Sequence, residues 1–144
     1  MKIGLDENVS RRMAEVVAAL DQGNEILHLP RIYGHGAHDI PLVTAFVADG
    51  GEILIGGDYK MTARPHELAR IMDSGLRLYV MPRRWSARDR YWKAGFLQRW
   101  WGMLVQHAEQ APLGSVWQLA EHWEAWNPSA VRRPPDSAVQ PAFD

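Results

Sequence analysis

Short hydrophobic runs alternate with helical patterns along the first 82 residues. Runs at residues 2–5, 25–29, 52–55 and 76–81 are typical of buried strands. Between them, hydrophobic residues recur three and four positions apart, the spacing of one helix face. These three helical patterns stop at glycines: Gly23, Gly50 with Gly51, and Gly75. Strands that alternate with helices predict an α/β fold with a central parallel sheet of four or five strands.

The second half of the chain has a different pattern. After Pro82, helical spacing predicts two helices, at residues 90–109 and 116–126, and from residue 127 onward prolines and small polar residues predict an extended or mobile tail. We expect one domain over residues 1–126 with a βα core, a helical C-terminal addition and a separate proline-rich tail. These three parts are residues 1–82, 83–126 and 127–144.

Composition narrows the class of protein. A chain of 144 residues has room for one domain with a real core. Cysteine is absent, which excludes disulfides and thiolate metal sites and favours a reducing compartment. The hydrophobic runs are too short to span a bilayer. We therefore expect a soluble, cytoplasmic protein with no membrane partner.

Charge is distributed unevenly along the chain, although the net charge is only −1. Residues 1–58 hold nine acids against four Lys and Arg, whereas residues 59–144 hold eight acids against twelve. All seven tryptophans also lie in the second half, at Trp85 and beyond. We interpret most of them as core and helix packing. The alternative is an exposed dimer or partner surface, or a platform on which bases stack.

Acidic residues follow the predicted strands. Asp6 and Glu7 follow the first strand, Asp39 stands where the second helix begins, and Asp58 follows the third strand. The carboxyl ends of parallel strands are where open α/β folds build their sites, so these acids predict a carboxylate cluster for a divalent cation. Each has a structural alternative. The helix dipole stabilises acids after the first strand, Asp39 can cap a helix, and Asp58 can stabilise a turn.

Polar and basic residues also follow the strand ends. Asn8 is a candidate helix cap or a residue that orients Asp6. Cations in two loops are candidates for contact with a phosphate backbone; they are Lys60, Arg64, Arg83 and Arg84. Three histidines flank the same loops, but their spacing matches no zinc motif, and we interpret them as exposed loop residues; they are His35, His38 and His66.

Together these motifs resemble the PIN-like nuclease superfamily. The resemblance is carried by Asp6-Glu7-Asn8, by Gly-His-Gly followed by Asp39, and by Ile-Leu-Ile-Gly-Gly-Asp58. It is nearest to small PIN-like proteins with an Asp-Glu-Asn start, a group that includes VapC-type toxins of type II toxin–antitoxin modules. It implies a three-layer fold and a Mg²⁺- or Mn²⁺-dependent ribonuclease. RNA, a cognate antitoxin protein and a homodimer are the partners that it implies.

The resemblance also implies roles for individual residues. Asp6, Asp39 and Asp58 are carried over as the catalytic and metal-binding acids. Two positions depart from the pattern, because Gly57 replaces a usual Ser or Thr and Lys60 replaces a frequent acid. A fourth acid would have to come from Glu7 or Glu67, and Glu7 is added as a substitute ligand. The substrate contacts that we expect are Asn8, Lys60, Arg64, Arg83 and Arg84.

Two other functions are consistent with these residues. One is a non-catalytic PIN-like module that binds nucleic acid or protein and has lost part of the metal site. The other is a phosphoacceptor domain of the receiver type, which also places acids at strand ends. The chain has no evident lysine at the end of a later strand to serve as the partner of a phosphorylated aspartate, which disfavours a receiver domain.

Overall fold

A central sheet organises the molecule in a computed structural model, which describes residues 1–34, 39–57, 59–120 and 124–139 and leaves out the Asp39 side chain. Within these ranges the chain forms six strands. They are β1 (Lys2–Leu5), β2 (Glu25–His28), β3 (Ile53–Gly57), β4 (Arg77–Val80), β5 (Val116–Gln118) and β6 (Ser129–Val131). Their order across the sheet is β2-β1-β3-β4-β5-β6.

Five of these strands run parallel. β1 pairs with β2 and β3, β3 pairs with β4, and β4 pairs with β5, all in parallel. Only β6 is antiparallel, along the outer side of β5. The prediction of an α/β fold with a central parallel sheet is thus confirmed, with one antiparallel edge strand added to it.

Helices cover both faces of the sheet. The described helices are α1 (Arg11–Leu20), α2 (Leu29–Tyr33), α3 (Asp39–Ala48), α4 (Pro65–Asp73), α5 (Arg90–Gln110) and α6 (Asp136–Val139). α1 and α5 pack on one face, and α3 and α4 pack on the other. Alternate strand residues point to opposite faces, so Ile3 and Leu5 contact the first layer, whereas Leu54 contacts the second. The result is a three-layer arrangement of helices, sheet and helices.

Two helix starts follow from local chemistry. Ser10 caps α1, because its hydroxyl accepts a hydrogen bond of 3.2 Å from the backbone N–H of Met13. Asn8, the cap candidate from the sequence, does not cap this helix. Asp89 caps α5 in the same way, accepting from the N–H of Trp92 at 2.8 Å. None of the described helices is both long and apolar enough to cross a membrane.

The predicted helix at residues 116–126 is wrong at its start. Val116–Gln118 is a strand, because its backbone pairs with β4 on one side and with β6 on the other. Val116 is buried in the core beneath α3 and α4. A three-residue strand has no periodic pattern of its own, so only its neighbours in the sheet define it.

The predicted tail at residues 127–144 is also partly wrong. Ser129–Val131 forms the edge strand β6 and Asp136–Val139 forms the short helix α6. Between them, the guanidinium of Arg133 binds the carboxylate of Asp73 at 2.6 Å and ties this segment to the end of α4. Pairing with a distant strand overrides the local preference of a proline-rich segment for an open chain. The domain boundary at residue 126 stays a prediction.

A hydrogen-bonded pair attaches α5 to the middle of the sheet. The hydroxyl of Tyr79 on β4 lies 2.6 Å from Nδ1 of His107 on α5. Burial lowers the pKa of His107 and raises the pKa of Tyr79. The phenol and the imidazole thus share one hydrogen bond in the interior. This contact positions α5 over β4, the strand whose far end leads into Arg83.

Candidate functional site

The strand order creates a crevice between β1 and β3. The chain leaves β1 toward β2 through α1 on one face, and it reaches β3 from β2 through α3 on the opposite face. In open α/β sheets, ligands bind outside the carboxyl ends of the strands at the point where the chain switches direction in this way. Asp6 is the first residue after β1 and therefore lies at this switch point.

Asp6 is buried at the end of β1. It is 7% exposed and is the one polar or charged residue that is buried in the described part of the chain. Its N–H donates to the carbonyl of Ile55 at 3.0 Å, and its Oδ1 accepts from the N–H of Glu7 at 2.8 Å. Burying a carboxylate is costly unless hydrogen bonds or a cation compensate it. Its burial is therefore consistent with a cation site.

Asn8 connects the ends of β1 and β3. Its Nδ2 donates to the carbonyl of Gly56 at 2.7 Å. Gly56 has a φ of +89°, and a Cβ built on it would lie 2.9 Å from Cγ2 of Val9. The pairing of β3 with β4 also shifts register between Ile55 and Gly57. A glycine is thus required where the backbone of β3 turns closely over the segment that follows Asp6.

Alanine at Gly56 should destabilise the protein more than alanine at Gly75. Both glycines have positive φ, so both changes incur the left-handed strain of roughly 1–2 kcal/mol. Only Gly56 also has a neighbour within 3 Å, since nothing lies within 4 Å of a Cβ at Gly75. We expect Gly56→Ala to cost about 1–3 kcal/mol more in chemical denaturation. Equal losses for the two variants would contradict the close approach of Val9.

A cleft of about 230 Å³ opens beside these strand ends. The ends of β1, β3 and β4 all contribute to it. Its described lining is Asn8, Tyr59, Lys60, Met81, Pro82, Arg83, Trp85 and Ser86. Trp85 is 2% exposed, and its indole N–H donates to the carbonyl of Asn8 at 3.0 Å. This hydrogen bond fixes the loop after β4 against the loop after β1.

Cations stand at the mouth of the cleft. Lys60 and Arg83 are both exposed and both line it. The guanidinium carbon of Arg83 lies 5.8 Å from the ring centroid of Tyr59, within the range of a cation–π contact. The cleft therefore has two cations and an aromatic ring in its lining. Asn8, which also lines it, follows the buried Asp6 by two positions in the chain.

The structure separates the predicted substrate contacts into two groups. Asn8, Lys60 and Arg83 come together in the cleft. Arg64 does not line it and instead forms an exposed ion pair of 3.2 Å with Glu67. Arg84 is exposed and also lies outside the lining.

The predicted acids have different positions. Glu7 is exposed and does not line the cleft. Asp39 is the first residue of α3, which returns the chain from β2 to β3 and so begins on the carboxyl side of the sheet. Asp58, His35 and His38 lie outside the described residues. Among the residues whose side chains are described, no group of three or more His, Cys, Asp and Glu could hold a metal.

Five lining residues are not among the contacts expected from the sequence: Tyr59, Met81, Pro82, Trp85 and Ser86. Tyr59 directly follows the third strand-end acid, and an aromatic residue at that place is a signal that sequence reasoning could have used. Trp85 is 2% exposed, and the sequence did not predict its place in the core. Its indole N–H bond to the Asn8 carbonyl depends on the fold and has no sequence signal.

Comparison with known families agrees with this architecture. A family model described as a PIN like domain matches residues 1–83, which include β1 to β4 and reach Arg83 in the cleft. No curated protein and no solved structure matches the chain significantly. The family match covers 83 of 144 residues. The chain therefore belongs to the PIN-like domain family, which is part of a superfamily of nuclease type.

Proposed function

We propose that the protein is a metal-dependent ribonuclease that acts at the carboxyl ends of β1, β3 and β4. The observation that supports this most strongly is the buried carboxylate of Asp6 at the switch point, beside a cleft with Lys60 and Arg83 at its mouth. A buried carboxylate two positions before the lining residue Asn8, together with exposed cations that line the cleft, suits a phosphodiester that is bound through a divalent cation on one side and ion pairs on the other.

We propose Mg²⁺ or Mn²⁺ as the ion, because the acids predicted at the strand ends have the chemistry that these cations prefer. Both are hard cations that prefer oxygen ligands and keep several waters, so a few carboxylates suffice. Asp6, Asp39 and Asp58 would hold the ion, with Glu7 as the substitute ligand. When bound, such an ion makes a water more acidic and neutralises charge on the phosphate.

The other lining residues have roles that do not depend on the ion. Lys60 and Arg83 are proposed to bind the phosphates on either side of the scissile bond, because both are exposed cations at the cleft mouth. Asn8 holds β1 and β3 together through Gly56, and Trp85 holds the Arg83 loop against Asn8. These hydrogen bonds hold the backbone of the Arg83 loop against the segment that follows Asp6.

The direct test is cleavage of a single-stranded RNA with a fluorophore and a quencher at its ends. We expect the purified protein to cleave it with millimolar Mn²⁺ or Mg²⁺ and to stop when EDTA is added. Calcium alone, which has a different coordination geometry, should support little cleavage. RNA binding without cleavage under any metal would replace this proposal with the non-catalytic binding module.

We further propose that the ribonuclease is the toxin of a type II toxin–antitoxin module, with a cognate antitoxin as protein partner. The support is the resemblance of the Asp6-Glu7-Asn8 start to small PIN-like toxins. Induced expression should arrest bacterial growth, and the Asp6→Asn variant, expressed to the same level, should not. Equal growth with both proteins would remove the toxin proposal and leave the ribonuclease proposal intact. A homodimer and a cytoplasmic location stay predictions.

A further inference from the structure

Tyr59 is held in place at the rim of the cleft. It opens a 3-10 turn, Tyr59–Thr62, directly after the strand-end acid. The hydroxyl of Thr62 donates to the Tyr59 carbonyl at 2.7 Å, and Met61 in the same turn is 0% exposed. One hydrogen bond and one buried anchor therefore fix the backbone of Tyr59. Its ring remains partly exposed and lines the cleft.

The Arg83 guanidinium lies over the Tyr59 ring at slightly less than the separation that a nucleobase between them would need. The guanidinium carbon of Arg83 lies 5.8 Å from the ring centroid. A flat base between two flat groups needs two contact distances of about 3.5–4 Å each, or about 7–8 Å in total. Arg83 is long and exposed, so a movement of about 1–2 Å would open that gap. The anchored turn supplies the fixed plane, and Arg83 supplies the movable one.

We propose that Tyr59 is a base-stacking residue that makes the cleft select unpaired nucleotides over duplex. This inference rests on the proposed function, since it assumes that RNA enters the cleft. In a duplex both faces of each base are covered by its neighbours, so no face is free for the ring. An unpaired base can stack on Tyr59 while Lys60 and Arg83 bind the phosphates beside it.

The charges around Tyr59 favour nucleic acid over a protein segment as the occupant. Lys60 follows it in the chain and Arg83 lies over its ring, and both are exposed. No acidic side chain contributes to the described lining of the cleft. Cations that flank an aromatic ring match an alternation of phosphate and base, which is the chemistry of a single strand.

The test compares two ligands of equal charge: an eight-nucleotide oligouridylate and the same ribose-phosphate chain without bases. Binding is measured by fluorescence anisotropy with EDTA present, so that the RNA is not cleaved. Because charge is matched, the affinity ratio reports base contacts alone. We expect the wild type to prefer the uridylate by about 5- to 100-fold. Tyr59→Leu should reduce this ratio toward one, whereas Tyr59→Phe, which keeps the ring, should preserve it.

The outcomes distinguish the two proposals. The stacking role is overturned if the wild type has an affinity ratio of one, or if Tyr59→Leu leaves the ratio unchanged. In either case, uridylate binding that depends on Arg83 would still support the ribonuclease proposal. If Arg83→Ala binds the uridylate as tightly as the wild type does, both proposals are overturned. Duplex RNA of the same length is the second control, and Tyr59→Leu should leave its affinity unchanged. A loss of duplex affinity equal to the loss for the single strand would contradict selection of unpaired nucleotides.

Discussion

Replacing Asp6 with asparagine should lower metal-dependent RNA cleavage by at least about 100-fold. The change removes a charge from a ligand that we propose holds the cation, and it keeps the shape of the side chain. Asp6 is 7% exposed, and its Oδ1 accepts from the N–H of Glu7, a hydrogen bond that an asparagine oxygen can also accept. The fold should therefore persist, which circular dichroism and thermal unfolding would check. The rate is measured with the quenched RNA substrate at saturating Mn²⁺.

Glu15→Gln is the matched control. Glu15 is an exposed acid on α1 that pairs with Arg11 at 3.1 Å, and it loses the same charge without touching the cleft. Its cleavage rate should stay within about twofold of the wild type, because an exposed pair of this kind contributes little. Equal loss of activity in both variants would show a general effect of charge. Full activity in Asp6→Asn would contradict the proposed role of Asp6.

Replacing Lys60 and Arg83 together with alanine should weaken RNA binding at least tenfold at low salt. Each cation that neutralises a phosphate on a single strand contributes roughly 0.7 to the slope of log affinity against log salt concentration. The slope should therefore become shallower by about 1.4 in the double variant. Fluorescence anisotropy at several salt concentrations gives both quantities. Unrelated RNA sequences should lose affinity about equally, because phosphate contacts do not read bases.

The charge-matched control removes two exposed arginines from other parts of the surface. Arg12 on α1 and Arg70 on α4 are exposed and do not line the cleft. Arg12→Ala combined with Arg70→Ala changes the net charge by the same amount, so it reports the long-range effect of charge alone. If the two double variants lose the same affinity, the cleft is not the RNA site. If the variant with Lys60→Ala and Arg83→Ala retains RNA binding but no longer binds a protein partner, Lys60 and Arg83 belong to a protein interface.

Local patterns were sufficient to predict the first four strands and the helices α1, α3 and α4, because most of them have a clear period and a glycine or proline at a boundary. The 21-residue α5 was predictable for the same reason. The short helix α2 (Leu29–Tyr33) was not predicted, since five residues are too few to show a helical period. β5 and β6 were not predicted either, since each has three residues and exists only through pairing across the sheet. Long-range pairing outweighs local preference in such short strands. The C-terminal part of the sheet was therefore missed.

The candidate site shows the same limit. Asp6 and Asn8 could be placed at a strand end from the sequence, because hydrophobic residues stop there. The distinction between Arg83 and its neighbour Arg84 could not be made, since only the turn after β4 decides which one lines the cleft. Arg64 likewise forms an ion pair with Glu67, three positions further along the chain. From the sequence, Arg64 was expected to be a loop residue, and this pair was not predicted.

Titration of the ¹⁵N-labelled protein with Mn²⁺, followed through its backbone amide spectrum, tests the central claim most directly. A paramagnetic ion broadens the signals of amides close to it, and a chain of 16.4 kDa is small enough for complete assignment. The account predicts that substoichiometric Mn²⁺ selectively broadens residues 6–8 and 56–60, and that Asp6→Asn reduces this effect strongly. Broadening centred elsewhere, or equal broadening in Asp6→Asn, would contradict a cation site at the ends of β1 and β3.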